Sequence, residues 1–88
     1  MTVGDFEHRN EARWAEYERL VGELERGKPG EAAATLPRRF RELCVDLSLA
    51  EFRLYGERLT ARLNGLVIRG YELLYRNRRS GRERVVRF

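Results

Sequence analysis

The chain has 88 residues, of which 42% are hydrophobic and 36% are charged, and its formal net charge is +4. This length fits one small domain, and this apolar fraction is typical of a packed interior rather than of a disordered chain. The single cysteine, Cys44, excludes an intramolecular disulfide, and the single histidine, His8, leaves one imidazole for any metal site or catalytic triad. We therefore expect no metal, no cofactor and no enzymatic activity.

The first predicted helix covers residues 5–26, with Asp5 as its N-cap. Gly27 begins a Gly-Lys-Pro-Gly segment that should end this helix, because glycine tolerates a left-handed C-cap and proline cannot continue the hydrogen-bond ladder. Trp14 and Tyr17 are expected in the core. The apolar residues recur at mostly three- and four-residue steps: Phe6, Trp14, Tyr17, Leu20, Val21 and Leu24.

The second predicted helix covers residues 35–54, with Thr35 as a cap and Pro37 in the first turn, where its missing N–H is harmless. Leu47 is expected at the centre of the fold. Cys44 is expected as a buried structural thiol rather than a nucleophile, since buried thiols are inert. The apolar stripe along one face of this helix comprises Leu36, Phe40, Leu43, Cys44, Leu47, Ala50 and Leu54.

The third predicted helix covers residues 57–76. Gly56 indicates a tight turn before it, although a kinked continuous helix is an open alternative. Gly70 lies on its apolar face, where glycine costs about 1 kcal/mol relative to alanine, so close packing against a neighbouring helix should compensate. Three such stripes facing one interior predict an all-α fold, an antiparallel three-helix bundle. This stripe contains Leu59, Leu63, Leu66, Val67, Gly70, Leu73 and Leu74.

Positive charge is concentrated at the C-terminus. Residues 1–75 carry 12 Lys and Arg against 13 Asp and Glu, whereas residues 76–88 carry six Arg against Glu83 alone, a balance of +5. We therefore divide the chain into a bundle domain, 1–75, and a basic tail, 76–88, that is expected to be frayed or extended when isolated. The tail arginines are Arg76, Arg78, Arg79, Arg82, Arg84 and Arg87.

The basic tail indicates an anionic partner, either nucleic acid phosphate or the lipid headgroups of a cytoplasmic membrane face. Apolar residues return at its end, in Val85, Val86 and Phe88, as at the edge of a longer helix or membrane segment. Positive charge is the expected flank on the cytosolic side of a spanning helix. No uncharged run exceeds six residues, so the chain as given should be soluble. Its start lacks the basic and apolar regions of a signal peptide, so it should begin in the cytosol.

Polar residues beside the apolar stripes are candidates for contacts between helices. Asp46 and Arg53 are seven residues apart on one side of the second helix, and Asn64 borders the apolar face of the third. Interhelical hydrogen bonds are the structural interpretation of all three. His8 lies among charged residues of the first helix and is expected to be solvated.

The two strings RFRELCVDLSLA and LNGLVIRGYELLYR resemble the N-terminal cytoplasmic region of the stage II sporulation protein M-like family of bacterial integral membrane proteins. Glu51 and Tyr71 depart from the family pattern, which often has arginine and histidine there. The matching polar positions are Asp46, Asn64, Arg69 and Tyr75. The matching apolar and aromatic positions are Leu43, Leu47, Ala50, Leu63, Leu66, Val67 and Leu74.

This resemblance implies a helical head, on the cytoplasmic face of the bacterial inner membrane, that precedes several membrane spans. The leading hypothesis is a noncatalytic domain that docks a protein partner or orders its own transmembrane region, with the tail near anionic lipid. The alternative is a small nucleic-acid-binding bundle that uses the C-terminal arginines. We favour the first, because the tail lacks interleaved aromatic residues apart from Phe88.

Overall fold

Three α-helices make up the fold, as described by a computed structural model for residues 2–27 and 31–86. Side chains are described for residues 2–27 and 33–75. The helices are α1 (Val3–Glu25), α2 (Glu31–Phe52) and α3 (Glu57–Val86). No strand occurs within the two described ranges, and the helices pack on one another, which confirms the all-α three-helix bundle.

The helices run up, down and up. Glu11 and Glu25 of α1 pair with Arg62 and Arg69 of α3 in the same sequence order, so these two helices are parallel. Phe40 of α2 lies beside Gly70, whereas Leu47 lies near Thr60, so α2 is antiparallel to α3.

One core fills the space between the three helices. Leu47 is only partly buried and packs on the edge of this core, so its predicted central position is wrong. Leu43 lies one turn earlier and occupies the centre instead. The largest fully buried side chains are Trp14, Val21, Leu36, Leu43 and Leu63. The expected burial of Trp14 and Tyr17 is confirmed.

Gly70 packs closely against side chains of the other two helices. A Cβ atom at this position would overlap the Tyr17 hydroxyl and would lie 3.1 Å from Cδ2 of Phe40. Side chains from both α1 and α2 therefore occupy the space that any larger residue would need. The prediction of close packing at Gly70 is confirmed.

Thr2, rather than the predicted Asp5, is the N-cap of α1. The Thr2 hydroxyl accepts a hydrogen bond from the Asp5 amide at 3.2 Å, and the Asp5 carboxylate accepts one from the Thr2 amide at 3.4 Å. This reciprocal capping box lowers the pKa of Asp5, because Thr2 hydrogen-bonds its charged form. At the other end Gly27 has a φ of 78° and its amide donates to Leu24, as expected; residues 28–30 lie outside the described residues.

α2 begins at Glu31, so the predicted cap at Thr35 is wrong. Thr35 and Pro37 both lie inside the helix. The preceding run of three alanines has high helix propensity, which extends the helix upstream of the proline. Pro37 has no amide to donate to the carbonyl of Ala33, so this end of α2 lacks one internal hydrogen bond.

α2 ends at Phe52 in a Schellman arrangement. The Tyr55 amide donates to the Ala50 carbonyl at 3.0 Å, and the Leu54 amide donates to the Glu51 carbonyl at 3.2 Å. Leu54 therefore lies outside the helix, 87% exposed, with a φ of 56°. Its predicted place on the apolar stripe is wrong, whereas the tight turn at Gly56 is confirmed.

α3 continues without interruption to Val86. The expected frayed or extended tail is thus helical over residues 76–86, and the predicted domain boundary after residue 75 falls within one helix. Arginine is a good helix former, which accounts for the continuation. Arg87 and Phe88 lie outside the described residues.

Candidate docking groove and polar clusters

A groove lies between the first half of α2 and the later part of α3. Its volume is about 570 Å³. Phe40 and Leu74 are partly buried, whereas Tyr71 and Tyr75 are 59% and 56% exposed. The groove is lined by Ala33, Pro37, Phe40, Arg41, Tyr71, Leu74 and Tyr75.

The two tyrosines form an exposed aromatic wall. Tyr71 and Tyr75 are four residues apart, so they lie on the same face of α3, and their ring centroids are 6.4 Å apart with an angle of 21° between the planes. Arg41 lines the groove from α2 and makes no ion pair among the residues that the structure describes. This surface therefore combines exposed aromatic area with an unpaired cation.

The cationic end of α3 follows this aromatic wall directly. Arg76, Arg78, Arg79, Arg82 and Arg84 all lie on the helix that carries Tyr71 and Tyr75, and their side chains are outside the described set. Arg87 is outside the described residues. These arginines therefore belong to the same continuous helix as the two tyrosines, whereas the sequence predicted a separate tail.

Asp46 is the one buried charged residue among the side chains that the structure describes, with 6% of its surface exposed. Its Oδ2 accepts a hydrogen bond from Trp14 Nε1 at 2.9 Å and lies 2.7 Å from Nη2 of Arg13. The guanidinium of Arg62 lies 5.6 Å from the centre of the Trp14 ring. The predicted interhelical hydrogen bond at Asp46 is confirmed, and its role is to join α1 to α2.

Arg62 and Arg69 join α3 to α1 through paired hydrogen bonds. Arg62 donates to both carboxylate oxygens of Glu11, at 2.6 and 2.9 Å, and Arg69 donates to both of Glu25, at 2.6 and 3.0 Å. Each pairing raises the pKa of its arginine, and the Arg62 pair lowers the pKa of Glu11, because the hydrogen bonds favour the charged forms. These positions fix the register of α1 against α3.

The interhelical hydrogen bonds predicted for Asn64 and Arg53 are not found among the residues that the structure describes. Asn64 is exposed and borders a shallow depression that Leu47 and Thr60 also line. Arg53 lies beyond the end of α2 and donates to the Tyr55 hydroxyl at 3.3 Å, two residues away. The four polar positions that match the resemblance, Asp46, Asn64, Arg69 and Tyr75, thus lie in different contact sets rather than in one site.

Cys44 is half-buried rather than buried, beside a shallow apolar surface that includes Val45 and Phe52. Partial burial raises the pKa of its thiol, which keeps the sulfur protonated and weakly nucleophilic at neutral pH. His8 is exposed on α1, as expected. Among the described residues, no three His, Cys, Asp or Glu side chains converge as metal ligands would.

Tyr71 is the residue that sequence reasoning missed. The sequence pattern marks it only as a departure from a family, yet it forms one wall of the groove with Tyr75. The available signal is its spacing: Tyr71 and Tyr75 are four residues apart and lie outside the apolar stripe. Two large aromatic residues on the polar side of a helix indicate a contact surface.

None of the helices, over the part of the chain that the structure describes, combines the length and apolar character needed to cross a bilayer. No curated protein and no solved structure matches this chain. One family model matches residues 4–76, a span that includes all of α2 and most of α1 together with α3 up to the start of its cationic end. The chain therefore belongs to the family described as Domain of unknown function (DUF8413).

Proposed function

We propose that this chain is a noncatalytic helical domain that docks a protein partner in the groove between α2 and α3. The observation that carries the proposal is the exposed wall of Tyr71 and Tyr75 above a partly buried apolar floor. Tyrosine is enriched in protein interfaces because its ring offers apolar area while its hydroxyl can still form hydrogen bonds.

The polar residues that join the helices to one another support the choice of the groove as the binding surface. Asp46, Arg62 and Arg69 are each engaged in contacts that join one helix to another. A substrate would have to break those contacts to use them. The groove, by contrast, is open, and Arg41 makes no ion pair with any side chain that the structure describes, so a partner can bind there without disturbing the bundle.

The site is tested by placing a photoreactive amino acid at position 71 and cross-linking in living cells of the source organism. We expect a discrete protein adduct that disappears when Tyr75→Ala is added. The matched control places the same group at Phe52, which is 84% exposed on α2 away from the groove. Equal adducts at positions 71 and 52, or an adduct insensitive to Tyr75→Ala, would contradict groove docking.

We further propose that the domain lies at the cytoplasmic face of the bacterial inner membrane, as part of an integral membrane protein of the sporulation protein M-like type. Support comes from the balance of +5 in residues 76–88, which suits a surface of anionic lipid. We expect the chain to float with vesicles that contain anionic lipid and not with neutral ones. Deleting residues 76–88 should abolish flotation, and flotation without them would contradict this location.

A nucleic-acid-binding bundle is the second candidate function. The exposed tyrosines next to the cationic end of α3 favour it, because stacking of bases on aromatic rings beside arginines is a common mode of single-strand binding. This candidate predicts binding of a single-stranded oligonucleotide that weakens steeply with salt and is lost with Tyr71→Ala. Absence of binding at low salt would eliminate it.

A further inference from the structure

The groove has the shape and lining expected of a binding site for one more α-helix. Positions 33, 37 and 41 of α2 repeat every four residues along one side, and positions 71 and 75 of α3 do so along the other. Eight residues of α2 span about 12 Å, or about two turns of a helix. A fourth helix lying between two others packs its side chains into this kind of channel.

Positive charge lies at one end of this channel, and the sequence is rich in arginine where α3 continues past the other end. Arg41 lines it from α2, next to Phe40, which packs beside Gly70 of α3. On α3 the steps from 71 to 75, 78 and 82 follow the three- and four-residue spacing of one helix face, and positions 78 and 82 are arginines. Between Tyr75 and the end of the chain, Glu83 is the single acidic residue. This excess of arginine favours a negatively charged ligand along this face of α3.

A second copy of this chain fits poorly as the occupant. Its most acidic helix is α1, and two of its carboxylates are already committed to α3, Glu11 to Arg62 and Glu25 to Arg69. Using them between copies would break contacts that join α1 to α3. The charge match therefore favours a different protein.

We propose that the groove binds an amphipathic α-helix of a partner protein, with its apolar side chains on Phe40, Tyr71 and Tyr75 and with glutamates or aspartates on its flanks. The flanking carboxylates pair with Arg41 at one end and meet the arginine-rich end of α3 at the other. This inference rests on the proposed function and specifies the chemistry of the partner that docks there.

The test uses two designed peptides of about 18 residues with the same leucine stripe and helix content. One has glutamate at the flanking positions and the other has lysine. Binding of each labelled peptide to the full chain is measured by fluorescence anisotropy at several salt concentrations. We expect the glutamate peptide to bind at least about tenfold more tightly, with an affinity that falls as salt rises.

Two pairs of variants tie this binding to the groove. Arg41→Glu should weaken the glutamate peptide about three- to tenfold, whereas Arg58→Glu, an exposed arginine in the first turn of α3, should leave it unchanged. Tyr71→Ala should weaken it about tenfold or more, whereas Phe52→Ala, an exposed aromatic residue elsewhere, should not. Circular dichroism of every variant verifies that the bundle is intact.

Each outcome separates this inference from the proposed function. Equal affinity for the two peptides, or a preference for lysine, would overturn the acidic helix while leaving the cross-link at position 71 to decide whether the groove docks a protein. Equal losses with Arg41→Glu and Arg58→Glu would also overturn it, because binding would then be general electrostatic attraction. Failure of both peptides, with anionic vesicles binding through Tyr71 instead, would replace the partner helix with a lipid surface.

Discussion

Asp46 illustrates how a single polar residue can join two helices of the fold. Its carboxylate is buried and is held by the Trp14 indole and the Arg13 guanidinium. A buried charge without these partners would be costly to desolvate, so the three residues stabilise the bundle only together. The sequence predicted an interhelical contact here, because an acidic residue lay beside an apolar stripe.

Replacing Asp46 should strongly destabilise the protein. Asp46→Ala leaves the Trp14 N–H buried without an acceptor and Arg13 without its counter-ion, so we expect a loss of about 2–4 kcal/mol in the free energy of unfolding. Urea denaturation followed by circular dichroism measures it. The matched control is Glu42→Ala, an exposed acidic residue on the same helix, which should change stability by less than about 0.5 kcal/mol. A loss at Asp46 no larger than the control would contradict this role.

The contact between Gly70 and Tyr17 predicts a non-additive pair of substitutions. Gly70→Ala should destabilise the bundle, because its new methyl group overlaps the Tyr17 hydroxyl. Tyr17→Phe removes that oxygen, so it should recover much of the loss in the double variant. On its own it should be neutral or stabilising, since the hydroxyl is buried and has no hydrogen-bond partner among the described residues.

Gly65 provides the control for this cycle. A Cβ at Gly65 meets no atom within 4 Å, so Gly65→Ala should stabilise the exposed helix by up to about 1 kcal/mol through helix propensity alone. Thermal denaturation of the single and double variants gives the coupling energy. Additive effects of Gly70→Ala and Tyr17→Phe would show that the steric account of Gly70 is wrong.

Tyr17 also predicts how stability depends on alkaline pH. Burial raises the pKa of its phenol from about 10 to about 12 in the folded protein. The folded state therefore keeps this proton to a higher pH than the unfolded state does. It follows that the contribution of the protonated Tyr17 phenol to the free energy of unfolding is complete below pH 10 and is lost as the pH rises through about 12.

Urea unfolding at pH 8 and at pH 11.5, in wild type and in Tyr17→Phe, measures this dependence. The stability of the wild type relative to Tyr17→Phe should fall between the two pH values, because the variant has no phenolic proton to lose at this position. The half-buried Cys44 also has a raised pKa, and its negative charge adds to the effect of burial on Tyr17, so the comparison reports both causes together. An equal pH dependence in both proteins would contradict the buried phenol.

At the level of helices, the sequence predicted each apolar face better than each helix end. The stripe residues Leu36, Leu43 and Leu63 are all buried, since three- and four-residue spacing is a geometric property of the helix. The ends depend on weaker local energies. Thr35 and Pro37 gave a start signal inside a helix that an alanine run had already begun.

Leu54 adopts an energetically unfavourable backbone conformation at the C-terminal end of α2. It occupies the C′ position of the Schellman turn in a left-handed conformation that glycine adopts without strain, and its side chain is almost fully exposed. Leu54→Gly should therefore raise the free energy of unfolding by up to about 1 kcal/mol, because no packing is lost.

The control for Leu54→Gly is the same substitution in a regular turn of helix. Ile68→Gly, at a half-exposed helical position of α3, should destabilise the protein by about 1 kcal/mol or more. Chemical denaturation of the two variants tests the opposite signs. Destabilisation by Leu54→Gly of the same size as Ile68→Gly would show that Leu54 makes stabilising contacts.

At the level of the whole molecule, the bundle followed from the sequence and the groove did not. Three apolar faces have one simple solution, a shared core, and the short turn after α2 makes the last two helices antiparallel. The groove depends on which parts of two distant segments come side by side, Ala33 and Pro37 from one and Tyr71 and Tyr75 from the other. No local pattern encodes that juxtaposition.

The continuation of α3 changes the interpretation of the arginine-rich segment. As a separate tail it would have been a flexible cationic extension. As part of a 30-residue helix it continues the backbone of the helix that carries Tyr71 and Tyr75. The positive charge and the aromatic surface can therefore act on the same partner, which is the basis of the proposed docking mode.

Docking in the groove is tested most sharply by backbone amide chemical-shift mapping of the full chain during titration with the glutamate-flanked peptide. We expect the largest shifts at residues 33–41 and 71–75, with little change around Phe52 and Gly56. Shifts concentrated at the turn between α2 and α3, or spread evenly over all three helices, would contradict a docking site in the groove.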